Sequence, residues 1–254
     1  MSKGVVLLTG ATGLIGKMLV RRFLENEYKL ILISSNEEHL KALCDNYSTA
    51  IDKDMICGCV VDLLKENSAN NVINFLLKNQ SYPQYLINNA RRLEALEIND
   101  YRRIPDDKWI EEYQMDVVVP YQLSMRLAEM ENSKLKGIVN IASIYGTIAY
   151  NDFLCNGSKA IAIHYGVAKA GLIQLTRELA VRLSRQQIRV NSISFGGVSG
   201  RADTAFQNRY AKLCPEKKML SEQDVTGHVM YLCSEASRGM TGHNLVVDGG
   251  FTAW

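Results

Sequence analysis

Thr9-Gly10-Ala11-Thr12-Gly13-Leu14-Ile15-Gly16 is the stretch on which the fold turns. Just before it, Val5 to Leu8 form a short apolar run with the length and β-branching of a buried strand. Just after it, Ile15, Leu19, Val20, Phe23 and Leu24 recur at helical spacing between Leu14 and Asn26. A glycine-rich turn between strand and helix lets backbone approach a pyrophosphate. The helix N-terminus then offers unpaired N–H groups and a favourable dipole. On this reading Gly10 makes the tight turn, Gly13 permits close approach, and Gly16 lets the helix pack on the strand. The spacing is G-x-x-G-x-x-G rather than G-x-G-x-x-G, and a plain tight turn needs similar residues. Its position directly after a first strand favours a nucleotide.

Outward from the turn, strands and helices alternate. Strands are predicted at Lys29 to Ser34, Met55 to Val61, Tyr85 to Asn88, Gly137 to Ser143, Ile188 to Ile193 and Asn244 to Val247. Helices are predicted at Asn36 to Tyr47, Glu66 to Asn79, Asp107 to Met130, Ala162 to Ser184 and Ser221 to Ser234. In the last of these, Ser221 is the N-cap and Asp224 its acidic partner three residues on. Residues 91–106, 145–161 and 195–220 read as loop or weak pattern. The alternation predicts an α/β fold: a doubly wound parallel sheet with helices on both faces, in one domain spanning residues 1–254. Ligands of such sheets bind outside the carboxyl ends of the strands.

Composition narrows the function. The chain has 254 residues, 47% hydrophobic and 22% charged, with a net charge of +2. No basic run suggests nucleic acid, no apolar stretch has the length of a membrane span, and no targeting segment precedes Val5. A cytoplasmic location is expected. The six cysteines (Cys44, Cys57, Cys59, Cys155, Cys214, Cys233) are scattered. Cys57 and Cys59 share a strand face, but no His or second Cys pair stands at ligand spacing, so buried thiols rather than a metal are expected.

Several residues carry chemistry. After the second strand stand Ser34 and Ser35, where a carboxylate would reject a 2′-phosphate. Either NADP or NAD fits, with NADP the first choice. Asp62, after the third strand, suits an adenine amino group, or is an ordinary polar cap. Tyr165 and Lys169 lie one helical turn apart, so both heads leave one face. An ammonium beside a phenol favours its anion and suits it to proton transfer. Ser143, at a strand end, suits a substrate carbonyl oxygen on which charge develops. Twelve tyrosines make one chance Y-x-x-x-K unsurprising, but the small residues around it (Gly166, Ala168, Ala170, Gly171) permit close approach of a ligand. His164 points away from Tyr165 on the helix, which gives it a structural or surface role.

Taken in order, these residues resemble the short-chain dehydrogenase/reductases, in their compact branch. The match runs through TGATGLIG at 9–16, Asp62, Asn88-Asn89-Ala90, Val139 to Ser143, Tyr165-x-x-x-Lys169, Arg189 to Ile193, and Thr241-Gly242 to Asp248-Gly249-Gly250. The resemblance implies a Rossmann-like fold and hydride transfer between nicotinamide and a carbonyl/alcohol pair. It implies Tyr165 as acid/base, Lys169 as support for the phenolate and holder of the nicotinamide ribose, and Ser143 as the group that polarises the carbonyl. It further implies a cofactor lying along Gly10, Thr12, Gly13, Leu14, Ile15 and Gly16, then Ser34, Ser35, Asp62 and Leu63. Asn89 and Ala90 would line it, and the Val198 backbone would meet its carboxamide.

Departures from the family pattern carry their own expectations. Gly13-Leu14 looks like the extended branch that holds nucleotide-sugar epimerases and dehydratases, but the short C-terminus argues against it. Arg91 replaces a glycine and would meet phosphate or an anionic substrate, or point to solvent. Asp116 stands where the family has an asparagine that helps hold a relay water. It would keep that water or pair with Lys169 directly. Phe195 replaces a proline. The Ser143–Tyr165 connection is long, and Asn151, Asp152, Asn156, Ser158 and Lys159 within it suit a polar, polyhydroxylated or charged substrate, or a solvated loop. A similar loop in relatives from bacterial surface-sugar pathways suggests a sugar derivative. Val117, Val118, Val119, Leu123, Ile173, Leu175 and Leu179 would build the interface of a homodimer or homotetramer, or belong to the core. The alternatives are an epimerase or dehydratase, and a non-catalytic dinucleotide-binding regulator.

Overall fold

A computed structural model describes residues 3–52, 54–96, 103–155 and 162–254. The chain runs β1 (Val5–Thr9), α1 (Leu14–Glu25), β2 (Lys29–Ser34), α2 (Glu37–Asp45), α3 (Ser48–Asp52), β3 (Ile56–Val60), α4 (Ser68–Lys78) and β4 (Tyr85–Asn88). It continues with α5 (Asp106–Tyr113), α6 (Val119–Glu129), β5 (Gly137–Ser143), α7 (Asp152–Cys155), α8 (Ile163–Arg182), β6 (Arg189–Phe195), α9 (Thr204–Leu213), α10 (Glu222–Leu232) and β7 (Asn244–Val247). The strands form one sheet in the order β3-β2-β1-β4-β5-β6-β7, and every pairing is parallel. Chain order reverses between β1 and β4, which opens a crevice at their carboxyl ends.

Alternate side chains of the strands feed two cores, because successive residues point to opposite faces. Val6, Leu8, Leu30 and Leu32 pack with Leu19 and Phe23 of α1 and Val229 of α10. Leu7, Ile31, Ile33 and Leu86 pack on the other face with Leu76 of α4, Leu123 of α6 and Leu179 of α8. A buried polar chain crosses the second layer. Asn88 Nδ2 donates to Asn140 Oδ1 at 2.8 Å, Asn140 Nδ2 donates to Thr176 Oγ1 at 2.9 Å, and Thr176 Oγ1 donates to the Leu172 carbonyl. It fixes the rotation of α8 on β5, and with it the direction of the α8 residues nearer the sheet edge.

The strands lie where the alternation predicts them, with ends moved by a residue or two. The short α3 and α7 fall where no helix is predicted, and two longer helical regions differ. The long helix predicted over Asp107 to Met130 is interrupted by a π-helical turn, Gln114–Val118. Pro120 has no N–H to give the Asp116 carbonyl four residues back, so the wider hydrogen-bond register takes its place there. The weakly patterned stretch 195–220 contains α9, which Asp203 caps by accepting from the Phe206 N–H at 2.7 Å. Its apolar face rests on Tyr210, buried against Phe251.

Candidate active site

The glycine turn is held from β4. Asn89 Nδ2 donates to the carbonyls of Thr9 (3.0 Å) and Gly10 (3.1 Å), and Thr9 Oγ1 accepts from the N–H groups of Asn89 and Ala90. Gly10 has φ +64°, and a Cβ there would stand 2.7 Å from Ala90 Cα. Any other residue would be strained and would collide with the backbone just after β4. Gly13 caps α1 with no side chain over the helix end, so the first-turn N–H groups face the crevice, lined there by Leu14 and Ile15. Gly16 is buried, and a Cβ on it would run into the Gly10 and Ala11 carbonyls. It packs α1 against the turn and does not line the cleft. This is the packing role expected of it.

The cleft encloses about 550 Å³ along the carboxyl edge of the sheet. At one end lie Ser34, Ser35, Asp62 and Leu63, with Thr12 Oγ1 3.2 Å from Ser34 Oγ. Ser34 is buried and Ser35 exposed. Asp62 accepts from the Leu64 N–H and faces Arg92 at 3.5 Å. Arg92 also meets Glu111 (3.1 Å) and Glu94 (3.9 Å). Sequence reasoning passed over Arg92. Its one signal was a second arginine directly after the noted Arg91.

At the other end lie Ser143, Tyr165 and Lys169, with Ala90, Phe195 and Val198. The helical spacing does put phenol and ammonium on one side: Lys169 Nζ is 5.7 Å from the Tyr165 ring centre. Lys169 is buried. Its ammonium donates to the Ile141 carbonyl (2.9 Å) and to Asp116 Oδ1 (3.0 Å). Of the two expectations for Asp116, direct pairing with Lys169 is the one observed, and the π-helical turn delivers the carboxylate there. Ser143 Oγ accepts from the Tyr145 N–H, which leaves its own proton for another acceptor.

Beneath this pair lies a residue the sequence did not flag. Glu112 is fully buried, and neither carboxyl oxygen has a hydrogen-bond partner. Burial, reinforced by the Asp116 charge, pushes its carboxyl up to about 7, against the pull of Arg91 and Lys169. His164 is buried rather than on the surface. Its Nε2 lies 2.7 Å from the Ala95 carbonyl and its ring packs near Trp109, so it ties the turn Leu93–Leu96 to α8. Arg91 stacks on Tyr165, its guanidinium carbon 4.3 Å from the ring centre.

These residues fit a nicotinamide dinucleotide. The cleft is long, its middle is a glycine turn whose helix end is uncapped by any side chain, and polar groups stand at both ends. Two of the three ammonium protons of Lys169 are used, leaving one for a ribose hydroxyl. No metal-ligating cluster occurs among the described residues. Residues Asn156, Ser158 and Lys159, named above as suited to a polar substrate, lie outside the described residues.

Residues 10–252 match the family model described as enoyl-(acyl carrier protein) reductase. The chain is 28% identical to the post-translational flagellin modification protein A of Campylobacter coli, over 97% of each chain. It superposes on 4-hydroxyisoleucine dehydrogenase complexed with NADH and succinate with a TM-score of 0.83. That comparison gives 30% identity and covers 98% of this chain and all of the other. A short-chain dehydrogenase of Leptospira borgpetersenii with bound NAD+ gives 0.83 and 25% identity, over 99% and 94%. With a family model matched over nearly the whole chain and these relatives covered end to end, the chain belongs to the short-chain dehydrogenase/reductase family and is an NAD(P)-dependent oxidoreductase.

Proposed function

We propose that the chain, working as one domain, interconverts a carbonyl and an alcohol on a polar, polyhydroxylated small molecule. The substrate class we favour is a sugar derivative of a bacterial surface-glycan pathway. The observation that carries the reaction type is the meeting of Tyr165, Lys169 and Ser143 at one end of a cleft whose middle is the glycine turn. The nicotinamide, when bound, gives or takes the hydride. Ser143 donates a hydrogen bond to the substrate oxygen. Tyr165 gives that oxygen a proton on reduction and removes it on oxidation. Lys169 orients the ribose with its remaining N–H, and Asp116 holds Lys169 in place from behind. Support for the sugar class comes from the flagellin-modification relative and from the polar Asn151 and Asp152.

Ser34 and Ser35 leave room for a 2′-phosphate, so NADP is the preferred cofactor in this reading. Ser34→Asp should turn preference toward NAD, because a carboxylate repels the phosphate. An unchanged ratio of the two activities would put the 2′ position elsewhere. We further infer a homodimer or homotetramer, supported by apolar residues that α5, α6 and α8 leave exposed. The function itself is tested by a panel of keto- and amino-sugars, free and as phosphates or nucleotide conjugates, with both nicotinamides. Net oxidation or reduction of cofactor supports the reading. Product formation with no net change in cofactor would identify an epimerase or dehydratase.

A further inference from the structure

Cations lining the cleft differ in how their charge is met. Lys169 is paired with Asp116, and Arg92 with Asp62, Glu94 and Glu111. Among the described residues, Arg91 and Arg201 line the same cleft with no acidic side chain in ion-pair contact. The two stand at different places along it. A Cβ on Gly200 would touch Leu14, so Arg201 sits over the start of α1, where phosphates are held. Arg91 sits over Tyr165. Glu112, whose carboxyl feels the Arg91 charge, accepts no hydrogen bond from it.

The Arg91 guanidinium carbon lies over the Tyr165 ring, and its N–H donors lie at the edge of its own plane. That planar fork matches a carboxylate or phosphate through two parallel hydrogen bonds. With Lys169 paired to Asp116, Arg91 contributes a positive charge next to the phenol that no ion pair among the described residues meets.

We propose that Arg91 is the substrate's anion anchor, taking a carboxylate or phosphate carried within a few bonds of the carbon whose oxygen Tyr165 serves. The proposal rests on Tyr165 as acid/base, as argued above, and narrows the substrate to an anionic polyol, sugar acid or sugar phosphate. The same chemistry has a second source, the cofactor's own phosphates, and the test separates the two.

Succinate and inorganic phosphate are titrated by calorimetry into wild type, Arg91→Met and Arg201→Met, each saturated with NADH or NADPH. At least one anion should bind wild type and lose about tenfold or more in affinity in Arg91→Met, with cofactor affinities held within about twofold. Arg201→Met should weaken the cofactors instead. Equal anion affinity in wild type and Arg91→Met, or no anion binding to wild type, overturns the proposal. So does a loss of cofactor affinity in Arg91→Met, which would make Arg91 a cofactor residue. Turnover by Tyr165→Phe would instead remove the acid/base reading while leaving these binding affinities as they are.

Discussion

Glu112 shows how a single side chain records the site's electrostatics. It is buried beside the Asp116–Lys169 pair and has no hydrogen-bond partner for either oxygen. Its carboxyl moves from 4.5 to about 7, first through burial and then through Asp116. The folded chain therefore keeps a proton that the unfolded chain releases. Stability from this group is complete below about pH 4.5 and falls as pH rises toward about 7, by about 3 kcal/mol. Glu112→Gln should flatten that fall. Its Tm should match wild type near about pH 5 and exceed it near about pH 8. Parallel Tm–pH curves would show that Glu112 ionises freely in the fold. Nothing in the sequence marked this residue, because a glutamate on a charged helix face reads as solvated. Only the packing of α5 on α8 buries it. Tyr165 and Lys169 were readable because their spacing alone sets their common face.

Elements were readable where one local rule decides them, and less so where two compete. The N-cap of α10 was visible in sequence: Ser221 and Asp224 form the reciprocal capping box expected of them. The π-helical turn was not. A proline at position 120 reads as a possible helix start, and only the continuous packing of α5 and α6 turns it into a bulge. The same holds for α9, whose Phe206, Tyr210 and Leu213 are too few to stand out until the chain folds over them. The element contact that matters most for the site is α8 on β5, pinned by Asn140 between Asn88 and Thr176. Asn140→Ala leaves the Asn88 amide buried without its acceptor and opens a small void. Chemical denaturation should register a loss of about 3 kcal/mol. A loss below about 1 kcal/mol would mean that apolar packing alone sets the position of α8.

At the scale of the whole molecule, the residues first considered for an interface divide. Val117, Val119, Leu123, Ile173 and Leu179 are buried within the chain and belong to its core. The exposed apolar residues of the same helices are others: Ile110 and Tyr113 on α5, Tyr121 on α6, and Ile163, Val167 and Val181 on α8. Sequence periodicity could not separate them, since apolar and polar residues are spread around α8 rather than gathered on one face. Val167 is 53% exposed and lies two residues from Tyr165, on the opposite side of the helix from the cleft. Val167→Glu should convert an oligomer to monomer in analytical ultracentrifugation. An unchanged sedimentation coefficient would count against an interface on this face of α8, and a monomeric wild type against the proposed oligomer. The central claim, that the Tyr165 phenol moves the substrate proton beside a bound nicotinamide, is tested most directly with Tyr165→Phe. Turnover and cofactor affinity are measured on the same preparation. The account predicts turnover lowered by roughly 10²- to 10⁴-fold with NAD(P)H affinity nearly unchanged. Turnover close to wild type would contradict it.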